Sequence, residues 1–204
     1  MAAIDKIVRY IDVTKVTVPI DEFSPDERTA LDNVNHRVAS GESLGAVMDF
    51  VFESTLNIFP CDRLSIAFVE EDDRVVSHWS RALYSPLLLQ NGYAEDLRQS
   101  TLARVRDTGQ IRLIENLEAY LEAKQQSAST RLLVREGVRS SMTCPLSVEG
   151  RNGGFLFRSS RKPNTYGMHE VFLHSALADR LSQAVEKAYR IEQLTAANRA
   201  YTEI

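Results

Sequence analysis

Cysteine is scarce in this chain of 204 residues, which contains only Cys61 and Cys144. Two cysteines cannot build the disulfide framework that stabilises a small secreted domain. Both stand among apolar residues, as buried free thiols do in a reducing compartment. We therefore expect a cytoplasmic protein that is stabilised by its hydrophobic core rather than by cross-links.

Long apolar runs are also absent. A membrane-spanning helix needs about 18 or more consecutive apolar residues, and no stretch of the sequence provides them. The N-terminal segment carries Asp5, Lys6 and Arg9 where a signal peptide would need an uncharged core. We expect neither membrane insertion nor a cleaved leader.

Positive charge is not in excess, because the formal net charge is −4 at pH 7. Proteins that bind nucleic acid usually carry a basic face, and binders of single strands set aromatic residues among Lys and Arg. The sequence has neither feature, and its acidic balance also disfavours an anionic membrane surface. We therefore expect no nucleic acid among its partners.

Motifs for catalysis and metal binding are missing as well. The sequence contains no G-x-S-x-G turn, no phosphate-binding loop and no Gly-rich dinucleotide turn. Its histidines and cysteines show no C-x-x-C or H-x-x-x-H spacing, so we predict no metal site. These observations favour a chain that is not itself an enzyme.

Helix and strand patterns alternate through the rest of the chain. A capping box with proline, formed by Ser24, Pro25 and Glu27, predicts the start of a helix. The later patterns predict a helix over 44–55, a hairpin over 62–82, a helix over 93–109, a strand over 110–115, a helical connection over 117–137, a hairpin over 139–162 and a helix from about 167 to the C terminus. Helices from both ends of the sequence can share one face of a mostly antiparallel sheet, so the expected class is α+β, with the middle helices on the other face.

The predicted strands have two different faces. One face of the last hairpin carries the larger apolar residues Met142, Cys144, Leu146 and Val148. The face left for the middle helices carries small or polar residues, namely Ser65, Ala67, Ser141 and Thr143. Strands covered by helices usually present Val, Ile or Leu, so small residues leave space there, and hydroxyls can orient a bound molecule. A partly hydrated face without a ligand is the alternative.

The stretch "LVREGVRSSMTCPLSVEGRNGGFLFRSSRK" resembles the corresponding part of GAF domains, the small-molecule sensory modules of signalling proteins. The family typically shows a Gly-aliphatic-Arg-Ser pattern entering a strand, then Pro-Leu, a short Gly turn and a Gly-aliphatic-aromatic strand. The matching positions here are Gly137, Val138, Arg139, Ser140, Pro145, Leu146, Gly150, Gly153, Gly154, Phe155 and Phe157. The resemblance extends over about residues 25–190.

The resemblance implies a central antiparallel sheet with N- and C-terminal helices packed on one face and commonly forming a dimer. The other face, roofed by middle helices and loops, would enclose a ligand pocket. The pocket candidates are the four small residues Ser65, Ala67, Ser141 and Thr143, together with Tyr84 and Tyr93 at the expected mouth. His78 and Trp79 are further candidates, of which alternation allows only one to face the pocket. No cofactor is identified.

The predicted C-terminal helix also carries a coiled-coil pattern. Leu173, Leu177 and Leu181 begin a coiled-coil pattern that shifts register near Leu194. We expect three parts: an arm over 1–23, the sensory domain over 24–190, and over 191–204 the start of a connector to an output domain beyond Ile204.

Three functions remain open at this point. The first is a ligand-sensing GAF domain of a homodimeric signalling protein such as a sensor histidine kinase, although the chain itself lacks a phosphoacceptor box and an ATP-binding motif. The second is a structural dimerisation module without a ligand. The third is a small redox enzyme resembling free methionine sulfoxide reductase, whose clustered cysteines this chain lacks.

Overall fold

A computed structural model describes residues 6–15 and 22–202, and within these it shows a seven-stranded antiparallel sheet covered by six α-helices. The strands are β1 (Val8–Ile11), β2 (Arg63–Val69), β3 (Arg74–Ala82), β4 (Ala94–Asp96), β5 (Ile111–Ile114), β6 (Ser140–Val148) and β7 (Arg151–Ser160). The helices are α1 (Pro25–Ala39), α2 (Leu44–Thr55), α3 (Leu102–Thr108), α4 (Leu117–Ala123), α5 (Ala128–Arg135) and α6 (Met168–Thr202). Two short 3₁₀ turns span Val13–Lys15 and Leu97–Gln99.

The sheet has the strand order β1-β5-β6-β7-β2-β3-β4. The β6–β7 hairpin therefore lies in its middle, with Ser141 opposite Ser159 and Thr143 opposite Phe157. Because side chains alternate along a strand, these residues share one face, while Met142 and Cys144 share the other. The predicted α+β class with an antiparallel sheet is confirmed.

The N-terminal arm does not stay outside the sheet as the predicted boundary at residue 23 implied. Strand β1 forms an edge by pairing with β5, with Val8 opposite Ile114. Val8 is buried in a small cluster with Ile114 and Leu117, and this burial explains why a segment with an ambiguous pattern becomes a strand. The other parts of the predicted arm, 1–5 and 16–21, lie outside the described residues, as do 203–204.

The predicted helix over 93–109 is wrong in its first half. Residues 94–96 form β4, which pairs with β3, and only Leu102–Thr108 are α-helical. Pairing with a neighbouring strand here outweighs the local helical spacing. The connection over 117–137 divides into α4 and α5, because Asn116 and Ser127 each accept a hydrogen bond from a first-turn amide and so begin a separate helix.

The main hydrophobic core lies between the sheet and helices α1, α2 and α6. We call this side of the sheet the helix face. Its strand residues include the predicted set Met142, Cys144, Leu146 and Val148, which pack with helix residues such as Met48, Phe52 and Leu177. The predicted capping box is present, since Ser24 Oγ accepts from Glu27 N at 3.2 Å and Glu27 Oε2 accepts from Ser24 N at 2.9 Å.

Helix α6 continues well past the sheet. Its last buried residue is Val185, whereas Ile191, Leu194 and Tyr201 are 53%, 65% and 80% exposed. Ala188 and Tyr189 still pack against the helix-face core, whereas the exposed apolar side chains of Ile191, Leu194 and Tyr201 do not belong to it. Across those same residues, no helix combines the length and the apolar character that crossing a membrane requires.

Candidate functional site

A cavity of about 90 Å³ lies on the other side of the sheet, which we call the pocket face. It is enclosed by strands β2, β3, β5, β6 and β7 below and by α3, α4, α5 and the loop over residues 83–93 above. Its lining residues include Arg63, Ser65, Ala67, Ser77, Leu89, Tyr93, Glu95, Leu102, Arg112, Ile114, Leu117, Tyr120, Leu133, Ser141 and Ser159. The lining thus combines aliphatic side chains with hydroxyls and two arginines.

Small side chains on the sheet leave this space open. Ser65 and Ala67 of β2 point to the pocket face, and Ser141 of β6 and Ser159 of β7 follow on the neighbouring strands. Ser159 Oγ donates to Ser141 Oγ at 3.2 Å, so this part of the wall is already ordered. Hydroxyls both donate and accept, and a molecule in the cavity can therefore bind them in either direction.

A buried carboxylate fixes the loop above the cavity. The Glu136 side chain is fully buried, and its Oε1 accepts from the backbone N–H groups of Leu88 at 2.6 Å and Leu89 at 2.8 Å. Its Oε2 accepts from the Tyr84 hydroxyl at 2.6 Å. Burial, together with this bond to a negative group, raises the pKa of Tyr84 and keeps it protonated as a donor. Glu136 thus ties the 83–93 loop to the end of α5.

Arg63 supplies the opposite charge beside this carboxylate. Its Nε lies 3.3 Å from Glu136 Oε2 as an ion pair, although the N–H is not aligned for a hydrogen bond. Its Nη1 donates to Ser65 Oγ at 2.7 Å and its Nη2 to the Leu89 carbonyl at 2.9 Å. The Arg63 charge is therefore neutralised locally, and its donors are used to hold the wall and the loop.

Glu95 joins two further elements at the outer edge of the cavity. It accepts from Ser129 N at 2.7 Å, from Ser129 Oγ at 2.8 Å and from the Tyr93 hydroxyl at 2.7 Å. Burial and the bond to Glu95 raise the pKa of Tyr93, which remains a phenol. Strand β4 and helix α5 are joined by these contacts, which limit the cavity on that side.

Arg112 of β5 differs from Arg63. It is 8% exposed and donates to Thr101 Oγ1 at 2.7 Å and Thr143 Oγ1 at 3.1 Å. Its Nε has no hydrogen-bond partner, and no carboxylate among the described residues lies within ion-pair distance. Burial lowers the pKa of Arg112, but an arginine so far above neutral pH stays charged. Within the described part of the chain, Arg112 is therefore a cation of the cavity without a carboxylate partner.

A second cavity of about 780 Å³ adjoins the first. The two share the side chains of Tyr93, Glu95, Ser100, Tyr120 and Ser127. The rest of its lining comes from β4, the start of α3 and the segment over 122–128 between α4 and α5. This arrangement gives the inner cavity a wider polar vestibule on the side of the middle helices.

The sequence-predicted pocket residues fall into three groups. Ser65, Ala67, Tyr93 and Ser141 line the inner cavity. Thr143 does not line the cavity but accepts a hydrogen bond from Arg112, which does. Tyr84 does not line it either, and its hydroxyl donates to Glu136. His78 and Trp79 lie on the opposite side of the sheet.

A β-bulge explains the position of His78 and Trp79. Ile66 pairs with Trp79 while Ala67 pairs with Ser77, so His78 is an extra residue in β3. Trp79 packs against the helix-face core, and the His78 ring lies 5.1 Å from the Phe68 ring with its Nε2 3.1 Å from Glu192 of α6. The alternation argument that put one of them in the pocket fails at the bulge, and Ser77 lines the cavity instead.

Several residues that shape the cavity were not predicted, above all Arg63, Arg112, Glu95 and Glu136. A signal for Arg112 is present in the sequence, because it is a single arginine within the buried strand "IRLI". Glu136 carries no such signal, since its partners come from a loop far away in the chain.

The helix face contains its own buried polar cluster. Arg158 is fully buried, donates to Thr55 Oγ1 at 3.0 Å and has its guanidinium carbon 3.7 Å from the centre of the Phe59 ring. Burial and the Arg158 charge lower the pKa of His174 to about 3, so this histidine is neutral. Burial also raises the pKa of the Cys61 and Cys144 thiols. Among the residues that the structure describes, no group of three or more His, Cys, Asp or Glu side chains could hold a metal ion.

Comparison with known proteins identifies the fold. No protein-family model and no curated protein sequence matches the chain. Among solved structures, the phycocyanobilin-bound GAF domain from a cyanobacterial phytochrome has a TM-score of 0.62 at 17% identity, covering 82% of this chain and 97% of that one. The GAF domain of a two-component sensor histidine kinase from Bacillus halodurans has a TM-score of 0.61 at 14% identity, with coverages of 74% and 98%.

A third neighbour is an enzyme. The free methionine-R-sulfoxide reductase from Neisseria meningitidis, solved with its substrate, has a TM-score of 0.62 at 13% identity, covering 86% of this chain and 98% of that one. Identities this low establish a shared fold and leave the chemistry open. The fold of this chain is GAF-like, as its last hairpin predicted.

Proposed function

We propose that this chain is a small-molecule sensory GAF domain of a signalling protein, in which a ligand in the inner cavity changes the arrangement of the terminal helices. The observation that carries the proposal is the enclosed cavity on the pocket face, with its stripe of serines and its unneutralised arginine. Two GAF neighbours support it, one being bound to phycocyanobilin and one belonging to a sensor histidine kinase.

The bulge in β3 supplies a route from the cavity to the terminal helix. Ala67 and Ser77 line the cavity, while His78, the extra residue that follows Ser77 in the bulge, contacts α6. On the helix face, the Phe68 ring lies 4.4 Å from the Tyr189 ring, and His78 pairs with Glu192. A ligand that moves the β2–β3 pair therefore changes contacts near the point where α6 leaves the sheet. It shifts the balance of two arrangements only if it binds one more tightly.

Signal output in the proposed mechanism requires a second copy of the chain. The exposed Ile191 and Leu194 follow the coiled-coil pattern of α6, and α1 packs beside α6 on the same face. We propose a cytoplasmic homodimer formed through these N- and C-terminal helices, in a sensor histidine kinase whose catalytic part lies outside this chain. The structural alternative, a dimerising spacer, would suit a pocket filled by side chains, whereas about 90 Å³ of this cavity is unfilled.

A redox enzyme is the less favoured alternative. The thiols of Cys61 and Cys144 are buried on the helix face, away from the cavity, and their raised pKa disfavours the reactive thiolate form. We therefore propose a chain that binds its ligand without converting it.

The dimer is tested by exchanging Ile191 and Leu194 together for serine. Sedimentation of the unchanged chain at rising concentration should show a dimer, and the double variant should be monomeric at concentrations where the unchanged chain is not. Gln193→Ser, which replaces an exposed polar residue between them, is the matched control and should still dimerise. A monomer at every concentration of the unchanged chain would contradict the proposal.

A further inference from the structure

Arg112 has N–H groups that make no hydrogen bond among the described residues. A guanidinium group carries five N–H donors, and Arg112 uses one for Thr101 and one for Thr143. The Nε–H is without a partner among the described residues although the side chain is more than nine-tenths buried. The Arg112 side chain also lines the cavity, so its charge lies beside the space that a ligand would occupy.

The charges around the cavity leave Arg112 without a counter-ion. Arg63 is paired with Glu136, and Glu95 is occupied by Ser129 and Tyr93. The hydrogen-bond partners of Arg112 are the hydroxyls of Thr101 and Thr143, which carry no charge. A buried charge is costly unless it is paired, so this arrangement is complementary to an anion.

We propose that the inner cavity binds a small organic monocarboxylate whose carboxylate group pairs with Arg112. A planar guanidinium group can match a carboxylate through two parallel hydrogen bonds from neighbouring N–H groups. The inference rests on the proposed function, because it names the class of ligand for the same cavity.

The lining and the volume of the cavity indicate the chemical groups and the size of the ligand beyond its carboxylate. Leu102, Ile114 and Leu117 suit a short aliphatic body, while the hydroxyls of Ser65 and Ser141 suit a polar substituent. A volume of about 90 Å³ admits an acid of only a few heavy atoms. A phosphate dianion would carry two charges against one unpaired cation, which favours the singly charged carboxylate.

The experiment measures melting temperature and affinity for the purified chain with matched probes. Acetate, propionate and pyruvate are compared with acetamide, propionamide and inorganic phosphate at constant ionic strength. The acids should raise the melting temperature and the amides should not, because an amide cannot pair with the cation. Arg112→Gln should weaken acid binding by about tenfold or more, since a hydrogen-bonded charge pair is lost.

Arg104→Gln is the matched control, because it removes an exposed arginine of α3 that does not line the cavity. It should bind the acids as the unchanged chain does. Arg112→Lys keeps the charge but loses the planar fork, and should bind acids more weakly than Arg112 and more tightly than glutamine. This second variant keeps the inference testable if Arg112→Gln does not fold, which circular dichroism would show.

Three results would overturn the inference: amides that stabilise as well as acids, acid affinity unchanged in Arg112→Gln, or phosphate stabilising more than any acid. If amides bind and the cavity-filling variant Ser77→Leu blocks them, the carboxylate assignment fails while ligand sensing stands. If no acid, amide or phosphate binds, the carboxylate assignment fails by itself, because the proposed sensing function does not depend on these probes.

Discussion

Arg158 and Arg112 are buried on opposite faces of one sheet, and neither has a carboxylate within ion-pair distance among the described residues. Arg158 lies against the Phe59 ring at 3.7 Å and within the helix-face core. An aromatic face stabilises a cation, and the surrounding side chains fill the space. Arg112 borders a cavity instead.

The difference shows what marks a binding site in this fold. Both guanidinium groups have nitrogen atoms without hydrogen-bond partners. Of the two, only Arg112 lines the inner cavity, which leaves room for a ligand beside its charge. A buried arginine without a carboxylate partner is therefore our candidate for ligand binding where it lines open volume, and we assign it a structural role where the packing is complete.

The largest effect should come from the polar contact that holds the pocket face together. Glu136→Ala should lower the free energy of unfolding by about 4 kcal/mol, because it leaves Arg63 buried without its partner. Urea denaturation measures this. Glu115→Ala is the control, since its ion pair with Arg9 is partly exposed and should contribute less than about 1 kcal/mol. Equal losses in the two variants would mean that the pocket face does not depend on Glu136.

The two faces should respond differently to added volume. Cys144→Leu inserts a larger side chain into the filled helix face and should cost about 2 kcal/mol of unfolding free energy. Ser77→Leu extends into the cavity and should cost less than about 1 kcal/mol, because the new atoms enter existing space. Thermal and urea unfolding of both variants provide the comparison. A Ser77→Leu chain as unstable as Cys144→Leu would show that the cavity is not available.

The effect that is smallest near neutral pH concerns acid, and it comes from the buried His174 of the helix face. His174 is neutral in the folded chain, its pKa being lowered to about 3, but takes up a proton near pH 6.5 when unfolded. Stability should therefore fall as the pH drops below about 6.5, by up to about 1.4 kcal/mol per pH unit.

His174→Gln should flatten that acid slope in urea titrations run from pH 7 to pH 5. The exposed His36→Gln is the control and should keep the slope. His169 acts in the opposite direction, because its contact with Glu27 raises its pKa, and the stability it adds is lost as the pH rises through that pKa. An unchanged slope in His174→Gln would mean that the buried histidine does not govern acid stability.

Local patterns predicted the parts of the site that depend on strand alternation alone. Ser65 and Ser141 were correctly placed on the pocket face, because period-2 geometry needs no knowledge of the partner strand. His78 and Trp79 were misplaced, since a bulge depends on how β2 and β3 pair. The helix predicted over 93–109 failed for the same kind of reason, because β4 exists through its pairing with β3.

Charged residues of the site were hardest to predict. Arg63 and Glu136 are brought together from separate segments, and only the fold shows that one neutralises the other. Arg112 was visible as an arginine within an apolar strand, yet its lack of a counter-ion is a property of the assembled cavity. Whether an arginine only forms part of the cavity wall or is available to a ligand therefore depends on charge pairs between distant segments, which the sequence pattern does not reveal.

The uninterrupted course of α6 has a mechanical consequence. The 13 residues from Arg190 to Thr202 continue as one helix beyond Tyr189, the last residue of α6 that packs against the helix-face core. At about 1.5 Å per residue this length is about 20 Å, so a tilt of about 5° near Tyr189 moves its far end by about 2 Å. The helix acts as a lever arm that magnifies a small rearrangement near Tyr189 into a displacement as large as the shifts that switch packed helices from one arrangement to another.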